Sequence, residues 1–259
     1  MKAMVLAAGL GTRLRPLTGD RPKALVEVAG RTLLEITLER LRGFGICEVI
    51  INVHHFGEMV VQYLKAHGDF GMRIEISREE LLLDTGGGLK KAAEFFLRDG
   101  DLRDGLLRHA DDEPFVLHNV DVLSSMDLGA MARFHREQGA LATLAVRQRK
   151  SSRRLLFDGQ LELCGRRTGE EEAEMARPAE QVQELAFSGI HIVSPRIFSL
   201  LSEEHEFPII PAYLRLAAAG ERIMGFRDDA SYWRDLGTVA SLQQAAADIA
   251  QGALGCGGR

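Results

Sequence analysis

The chain has 259 residues, of which 46% are hydrophobic and 27% are charged, and its formal net charge is −5. This length and hydrophobic content suit a packed domain with its own core and at most a small addition. The negative net charge argues against a nucleic-acid-binding protein, which usually presents a basic face, and the sequence has no apolar run of membrane-spanning length.

The cysteines and the first residues indicate a cytoplasmic protein. Cys47, Cys164 and Cys256 show no metal-type spacing, so we expect reduced thiols. A cleaved signal peptide would remove the glycine-rich loop that follows the first strand, so we expect no signal peptide. We predict a single domain over residues 1–251 and a flexible glycine-rich tail over residues 252–259.

The first predicted strand, residues 2–7, runs into a loop that suits phosphate groups. Its apolar character is typical of a buried parallel strand. Gly9 and Gly11 allow a sharp turn and a close approach of the backbone to a ligand. Backbone N–H groups in such a loop, with Arg13 and Arg15 behind them, would form a pocket for anionic oxygens.

Two common phosphate-binding motifs are absent from this loop. No G-x-x-x-x-G-K-S/T occurs, and Leu14 stands where the dinucleotide fingerprint has its third glycine. A glycine pair after a strand is by itself compatible with an ordinary tight turn. Lys23 follows Pro22 and adds a third cation, so the segment suits a polyphosphate at the carboxyl end of the strand.

The next part of the chain alternates predicted helices with predicted strands. The helices are residues 31–44, 56–66 and 89–97, and the strands are residues 48–53, 72–77 and 114–118. Apolar residues recur at helical spacing in the helices, and the strands are short apolar runs. This alternation predicts a three-layer α/β/α fold with a mixed, mostly parallel central sheet and right-handed crossovers.

The pattern changes after Asp121, where a β-rich segment joins the alternation. The further helices are residues 127–138, 195–201, 209–219 and 238–250, and the further strands are residues 140–147, 187–193 and 222–226, with residues 232–236 returning to the core. Residues 150–186 are polar and rich in charge, with strand-like pieces at residues 155–157 and 160–163. We predict that they form a small β-rich excursion over one side of the site.

The first loop resembles the signature of the sugar-1-phosphate nucleotidylyltransferases, which is G-x-G-T-R-L-x-P-L-T followed by P-K. The matching residues are Gly9, Gly11, Thr12, Arg13, Leu14, Pro16, Leu17, Thr18, Pro22 and Lys23. A second stretch, from Trp233 to Thr238, resembles the family's late W-x-D-I/V/L-G-T segment. The resemblance spans nearly the whole chain, is weakest over residues 150–186, and implies the Rossmann-like nucleotidyltransferase fold.

Two aspartates that follow predicted strands could bind a divalent cation. Asp121 comes after the strand over residues 114–118, at the end where ligands bind in open α/β sheets. Asp235 lies in the late segment, and either carboxylate could instead be a helix cap or a turn residue. The resemblance implies that both bind Mg²⁺, although Val120 replaces the glycine that usually precedes the first of them.

The resemblance also implies roles for further residues. The implied catalytic residues are Arg13, Lys23, Asp121 and Asp235, and the two aspartates are the implied magnesium ligands. The implied nucleotide-binding residues are Leu6, Ala8, Gly9, Gly11, Thr12, Arg13, Thr85, Gly86 and Gly87. The implied sugar-phosphate-binding residues are Lys23, Asn119, Ser188, Gly189 and Arg177.

Many family members hold the sugar phosphate with a second lysine, but no lysine follows Lys150 in this sequence. Arg177 is the nearest analogue of that lysine, and Arg166 and Arg167 are the alternatives.

The activity that the resemblance implies is transfer of a nucleotidyl group from a nucleoside triphosphate to a sugar 1-phosphate, with release of pyrophosphate. The triple glycine after Thr85 is most similar to the bacterial N-acetylmuramate-1-phosphate uridylyltransferases, so UTP and an amino-sugar 1-phosphate are the expected substrates. Mannose-1-phosphate guanylyltransferases, which use GTP, are the alternative type of enzyme.

A catalytically silent nucleotide-sugar sensor on the same fold is a different class of function. The presence of Lys23, Asp121 and Asp235 favours the enzyme over the sensor. The sequence leaves the oligomeric state open.

Overall fold

The structure is a computed structural model that describes residues 1–98, 102–103, 106–107 and 113–253. Residues 254–259, which belong to the predicted flexible tail, lie outside the described residues, and so does Cys256. Within the described ranges, no helix combines the length and the apolar character needed to cross a membrane.

The first half of the chain alternates strands and helices, as predicted. Its elements are β1 Ala3–Leu6, β2 Glu27–Val28, β3 Arg31–Thr32, α1 Leu33–Gly43, β4 Glu48–Val53, α2 Gly57–Ala66, β5 Arg73–Arg78, α3 Asp84–Lys91, α4 Ala93–Leu97, β6 Leu102–Arg103, β7 Leu106–Leu107 and β8 Phe115–Asn119. The hydroxyl of Thr32 caps α1 by accepting a hydrogen bond from the N–H of Glu35 at 3.1 Å. The helix predicted from residue 31 therefore begins two residues later, because Arg31–Thr32 pair with β2.

The second half contains more strands than the sequence pattern indicates. Its elements are β9 Val122–Ser124, α5 Leu128–Glu137, β10 Ala142–Arg147, β11 Arg153–Phe157, β12 Leu163–Thr168, β13 Glu174–Met175, β14 Gln183–Val193, α6 Ile209–Ala218, β15 Ile223–Arg227, β16 Trp233–Asp235 and α7 Val239–Ala250. The strand predicted over residues 160–163 is present only in its second half. Residues 160 and 161 form a turn closed by the Asp158 carboxylate, whereas Glu162 forms an isolated β-bridge with Met224 and β12 begins at Leu163. The helix predicted over residues 195–201 is a short 3-10 helix, Pro195–Ser199.

One large sheet gathers most of these strands. Its order is β13-β12-β11-β14-β8-β1-β4-β5, and β10 pairs with both β14 and β15. Strands β8, β1, β4 and β5 are parallel, while β14 runs antiparallel to β8 and connects the β-rich excursion to the sheet. The predicted α/β fold with a mixed sheet is confirmed. The carboxyl ends of the four parallel strands meet at one edge, which is where ligands bind in such sheets.

Helices cover both faces of this sheet because alternate strand residues point to opposite sides. Ala3 and Val5 of β1 belong to a buried core that also contains residues of α1, α2, α5 and α7. Met4, which lies between them, belongs to a second buried core with residues of α3, α4 and α6. The two cores account for the three layers that the alternation predicts.

The three glycines before Leu89 lie inside helix α3 rather than in a loop that leads into it. A Cβ atom at Gly86 would lie 2.2 Å from the ring of Phe207 and 2.8 Å from its carbonyl oxygen. The N–H groups of Gly86 and Gly87 both donate to that oxygen, at 2.9 Å and 3.2 Å. These glycines therefore allow α3 to approach the segment before α6 more closely than any side chain would permit.

This close approach makes Gly86→Ala a destabilising substitution. We expect the free energy of unfolding to fall by about 1–3 kcal/mol, because the added methyl group must displace the Phe207 ring. Gly43→Ala in α1 is the matched control, since a Cβ there meets nothing within 4 Å and Ala favours a helix over Gly by up to ~1 kcal/mol. Urea unfolding of both variants measures the difference, and equal stabilities would contradict the packing role of Gly86.

Candidate active site

A cavity of about 280 Å³ opens at the carboxyl edge of the parallel strands. Seven residues of the predicted site line it: Leu6, Ala8, Gly9, Lys23, Thr85, Asn119 and Asp121. The sequence analysis did not predict the other lining residues, which are Asn52, Glu79, Leu82, Asp84 and Val120. The structure thus gathers residues from the ends of β1, β4 and β8 and from the segment after β5 around one space.

The glycine loop after β1 is folded by contacts within the first signature. Gly11 adopts a left-handed conformation with φ of 62°, and its carbonyl oxygen accepts a hydrogen bond from the hydroxyl of Thr18 at 2.9 Å. A Cβ atom at Gly11 would lie 3.0 Å from the methyl group of Thr18 and 3.1 Å from Cβ of Lys23. The position therefore requires glycine for both its conformation and its space, and the signature residues fold back against each other.

Arg13 reaches the late segment of the chain from this loop. It lies in the short 3-10 helix Thr12–Leu14, which the buried side chain of Leu14 anchors in the core. The side chains of Arg13 and Asp235 lie against the same glycine, Gly237. A Cβ atom at Gly237 would lie 2.6 Å from Nη2 of Arg13 and 2.7 Å from Oδ1 of Asp235. The structure thereby brings together two predicted catalytic residues that are more than two hundred positions apart in the sequence.

Lys23 and Asp121 form an ion pair at the cavity. Their side chains are 13% and 14% exposed, so the pair is shielded from bulk water. Lys23 follows Pro22 at the start of the short 3-10 helix Lys23–Leu25, and Asp121 follows β8. An ammonium and a carboxylate in such surroundings attract each other more strongly than a surface pair does.

Asp235 is placed next to Asp121 by a short antiparallel pair of strands. In this pair, β16 lies against β9 with Asp235 opposite Val122, and the N–H of Leu236 donates to the carbonyl oxygen of Asp121 at 2.8 Å. Neither carboxylate caps a helix, because Asp127 caps α5 and Thr238 caps α7. The capping alternative is therefore wrong for both aspartates.

The two aspartates provide carboxylate oxygens, which are the ligands that Mg²⁺ prefers. Among the described residues, no group of three or more His, Cys, Asp and Glu side chains is placed to hold a metal ion. A cation held by Asp121 and Asp235 would accordingly take its remaining ligands from substrate oxygens and water, as is usual for magnesium at phosphate sites.

A buried hydrogen-bond network, which the sequence analysis missed, forms one wall of the cavity. Oδ1 of Asn52 accepts from the N–H of Ala7 at 2.7 Å, and its Nδ2 donates to Oε1 of Glu79 at 2.7 Å. Oε2 of Glu79 accepts from the N–H of Leu83 at 3.0 Å. The signal in the sequence is Asn52, a polar residue inside the apolar strand β4 close to its carboxyl end.

Of Thr85 and the two glycines that follow it, only Thr85 lines the cavity. Thr85 lines the cavity, and its hydroxyl accepts a hydrogen bond from the N–H of Ile209 at 3.0 Å. Gly86 and Gly87 do not line the cavity, because their N–H groups are used by the Phe207 carbonyl. Their predicted contact with the nucleotide therefore finds no support in this arrangement.

Ser188 and Gly189 lie on β14, beside the end of β8. Gly189 has φ of 78°, and a Cβ atom there would lie 2.6 Å from Val122 and 3.1 Å from Nδ2 of Asn119. The carbonyl oxygen of Ser188 accepts a hydrogen bond from the indole N–H of Trp233 at 2.9 Å. Gly189 therefore allows β14 to pack against Asn119, which lines the cavity.

The arginines expected to replace the family's second lysine are held by carboxylates of the excursion. Nη2 of Arg177 lies 2.6 Å from Oδ2 of Asp158, and the structure does not bring this side chain to the cavity. Arg166 pairs with Glu174 at 2.6 Å, and Arg167 pairs with Glu184 at 3.0 Å. These pairs connect the excursion's own strands and turns, so their charges are already offset.

His118 is buried beneath the loop that carries Asp121. Its Nδ1 is 2.8 Å from the carbonyl oxygen of Asn119 and its Nε2 is 3.0 Å from Nη1 of Arg40. Nδ1–H donates to the carbonyl, so Nε2 accepts from the guanidinium. Burial, and then the charge of Arg40, lower the pKa of His118 to about 3, so the ring is neutral in the folded protein.

Comparisons with known proteins find relatives over nearly the whole chain. A family model described as nucleotidyl transferase matches residues 2–252. The N-acetylmuramate alpha-1-phosphate uridylyltransferase of Caulobacter vibrioides is 33% identical over 257 residues, which cover 96% of this chain and 97% of that protein. A mannose-1-phosphate guanyltransferase of Yarrowia lipolytica is 29% identical over 246 residues.

The coverage of these matches differs. The match to the Yarrowia protein covers 92% of this chain but 61% of that protein, so the chain spans about three fifths of its length. Among solved structures, a UDP-glucose pyrophosphorylase complexed with UDP-glucose superimposes with a TM-score of 0.75 at 21% identity, covering 96% of this chain and 98% of that one. At this identity the likeness shows the shared fold.

The neutral state of His118 predicts a loss of stability in acid. In the unfolded chain His118 takes up a proton near its ordinary pKa of 6.5, whereas in the folded chain it does so only near a pKa of about 3. The contribution of neutral His118 to the free energy of unfolding is therefore complete above pH 6.5 and is lost as the pH falls from 6.5 toward 3. Between about pH 7.5 and about pH 5, this histidine should account for a loss of about 2 kcal/mol.

His118→Gln tests this linkage, because its amide can still accept from Arg40 but does not titrate. The buried His135 and His191 remain in both proteins, so their contributions cancel in the comparison. Urea unfolding at the two pH values should show a smaller acid-induced loss in the variant. An identical loss in both proteins would mean that His118 is not the residue responsible.

Proposed function

Because the chain belongs to the nucleotidyl transferase family, we propose that it transfers a nucleotidyl group from a nucleoside triphosphate to a sugar 1-phosphate and releases pyrophosphate. The observation that carries this proposal is the cavity in which the glycine loop faces the ion pair of Lys23 and Asp121. The names of the Caulobacter and Yarrowia relatives, which are a uridylyltransferase and a guanyltransferase acting on sugar 1-phosphates, support it.

The reaction needs positioning and charge stabilisation more than protein covalent chemistry. A phosphate oxygen of the sugar 1-phosphate attacks the α-phosphorus, and the bond from that phosphorus to pyrophosphate breaks. Both substrates are polyanions, so their mutual repulsion opposes the approach. Cations and oriented N–H groups around the cavity lower this barrier when they are already in place before the reaction.

The triphosphate belongs on the glycine loop in this proposal. The backbone of residues 9–12 and the guanidinium of Arg13 provide donors for its oxygens. Thr85, together with Leu6 and Ala8, provides the surface for the nucleoside. The buried carboxylate of Glu79, held by Asn52, lies on the same wall and adds an acceptor that a base could contact.

Lys23 has two alternative partners in the reaction. Without substrate, its ammonium is paired with the carboxylate of Asp121. Phosphate oxygens entering the cavity offer a competing anion at the same place, so Lys23 can move its charge from Asp121 to the α-phosphate and the incoming sugar phosphate. The exchange keeps the ammonium compensated throughout, which avoids a buried unpaired charge.

Asp121 and Asp235 would hold the divalent cation, for which Mg²⁺ is the expected choice because both donors are carboxylates. A bound cation of this kind offsets phosphate charge and orients the group that is transferred. Once Lys23 turns to phosphate, the oxygens of Asp121 are free to serve as ligands. Asn119 then forms the side of the cavity proposed for the sugar, with Gly189 packed against it and Ser188 next to Gly189 on β14.

We expect UTP and N-acetylmuramate 1-phosphate to be the preferred pair, because the Caulobacter relative matches over almost the full length of both chains. Pyrophosphate release with a panel of nucleoside triphosphates and sugar 1-phosphates measures the preference as kcat/KM. A preference for GTP with mannose 1-phosphate would instead support the alternative substrate pair. Tight nucleotide-sugar binding without pyrophosphate release in any combination would contradict the enzyme and support a sensor.

The carboxylates provide the second test. We expect Asp121→Asn and Asp235→Asn each to lower the turnover number by roughly 100-fold or more, since each removes one charged donor from a preorganised site. Asp127→Asn is the matched control, because this nearby aspartate only caps α5 and asparagine caps equally well. Turnover measured across a titration of Mg²⁺, with thermal melts of all three variants, decides the outcome. Wild-type turnover in either site variant, or full activity in excess chelator, would contradict the proposal.

A further inference from the structure

Among the residues that the structure describes, Arg149 has no ion pair with a carboxylate, whereas four arginines of the β-rich excursion do: Arg154, Arg166, Arg167 and Arg177. Arg149 follows β10, and its guanidinium carbon lies 4.3 Å from the centre of the Trp233 ring. Nη2 donates to the carbonyl oxygen of Phe187 at 3.0 Å, and Nη1 makes a long 3.4 Å contact with the carbonyl of Lys150. Nε is buried and has no hydrogen-bond partner among the described residues.

No carboxylate forms an ion pair with Arg149 in the described part of the chain, where its bonds go to main-chain carbonyls. By contrast, Arg177 is paired with Asp158, and Arg154 with Glu184. A half-buried guanidinium that stacks on an indole ring without an ion pair keeps its N–H donors available for a ligand. Nε of Arg154 and of Arg167 is likewise buried without a hydrogen bond to a described residue, but those two side chains are ion-paired with Glu184.

Arg149 lies beside residues predicted to bind the sugar phosphate, because it donates to the carbonyl of Phe187, which directly precedes Ser188 and Gly189. Trp233, on which the guanidinium stacks, donates its indole N–H to the carbonyl of Ser188. Trp233 also lies two residues before Asp235 in β16, so Arg149 stacks on the strand that carries this aspartate.

We infer that Arg149 contacts the phosphate group of the sugar 1-phosphate acceptor, in the place for which the sequence analysis considered Arg177, Arg166 and Arg167. This inference rests on the proposed function, in which the glycine loop and Arg13 hold the triphosphate. A guanidinium presents parallel N–H donors that match two phosphate oxygens. The stacking on Trp233 fixes the plane of this fork, so the acceptor phosphate is oriented as well as attracted.

Kinetics of Arg149→Met and Arg149→Lys test the assignment. At saturating triphosphate, we expect Arg149→Met to raise KM for the sugar 1-phosphate roughly 30- to 100-fold, which is the usual effect of losing a hydrogen bond to a charged group. KM for the triphosphate should stay within about threefold, because Arg149 does not contact it in this assignment. Arg149→Lys should restore part of the loss, since it keeps the charge but not the fork.

Arg147→Met is the matched control. Arg147 also lies over the Trp233 ring, at 5.8 Å, but its Nη2 donates to the carbonyls of Asp229 and Ser231. Removing this charge tests whether any nearby cation would have the same effect. An equal rise of the acceptor KM in both Met variants would overturn a specific contact by Arg149, and so would a rise confined to the triphosphate KM.

The fluorescence of Trp233 provides a readout that does not depend on turnover. It is the only tryptophan in the sequence, so its emission reports directly on the ring beneath Arg149. With an unreactive triphosphate analogue bound, we expect the sugar 1-phosphate to change the emission of the wild type and of Arg147→Met. Arg149→Met should show no change at the concentration that saturates the wild type, while its thermal melt stays close to that of the wild type.

The two proposals fail in different ways. If the wild type releases no pyrophosphate with any substrate pair, the proposed function is wrong, and titration with inorganic phosphate still measures whether Arg149 binds a phosphate group. An emission change that disappears in Arg149→Met would support the phosphate contact. If the wild type is active but Arg149→Met keeps its acceptor KM and its emission change, the role of Arg149 is wrong while the proposed function stands.

Discussion

Four parallel strands end at the same edge of the sheet, and the candidate site depends on this arrangement. The glycine loop follows β1, Asn52 lies near the end of β4, Glu79 follows β5, and Asp121 follows β8. Each strand delivers its polar residue where the chain leaves the hydrophobic layers, so apolar packing and polar chemistry do not compete for the same positions. The cavity is a consequence of parallel pairing, and the side chains around it determine its chemistry.

Charge is distributed differently inside and outside this site. Arg154, Arg166 and Arg177 of the β-rich excursion are paired with carboxylates and hold its strands and turns together. At the cavity, Lys23 and Asp121 are paired with each other, a state that substrate and cation can exchange for new partners. Arg149 is stacked on Trp233 without an ion pair. Cations with offset charge stabilise the fold, whereas exchangeable or uncompensated cations suit a site that receives anions.

Glycine serves the site in two physically distinct ways. Gly11 and Gly189 have positive φ, and the space beside each is occupied by a neighbouring side chain, so the loop and β14 could not adopt their paths with a larger residue. Gly86 and Gly87 are ordinary helical residues that allow α3 to contact the segment before α6. Gly86 and Gly87 therefore serve helix packing in this structure, and their contact with the nucleotide stays a prediction from the family resemblance.

The sequence alone predicted the alternation of strands and helices and the glycine loop with Arg13 and Lys23, and its family resemblance pointed to Asp121 and Asp235. These features are local, because hydrophobic periodicity and turn residues act over a few neighbouring positions. Tertiary structure decided which distant segments meet: β16 pairs with β9 and sets Asp235 beside Asp121, Asp158 engages Arg177, and Trp233 supports Arg149. Such choices depend on the competition among many partners for each charge and each strand edge, and no local pattern in the chain records the outcome of that competition.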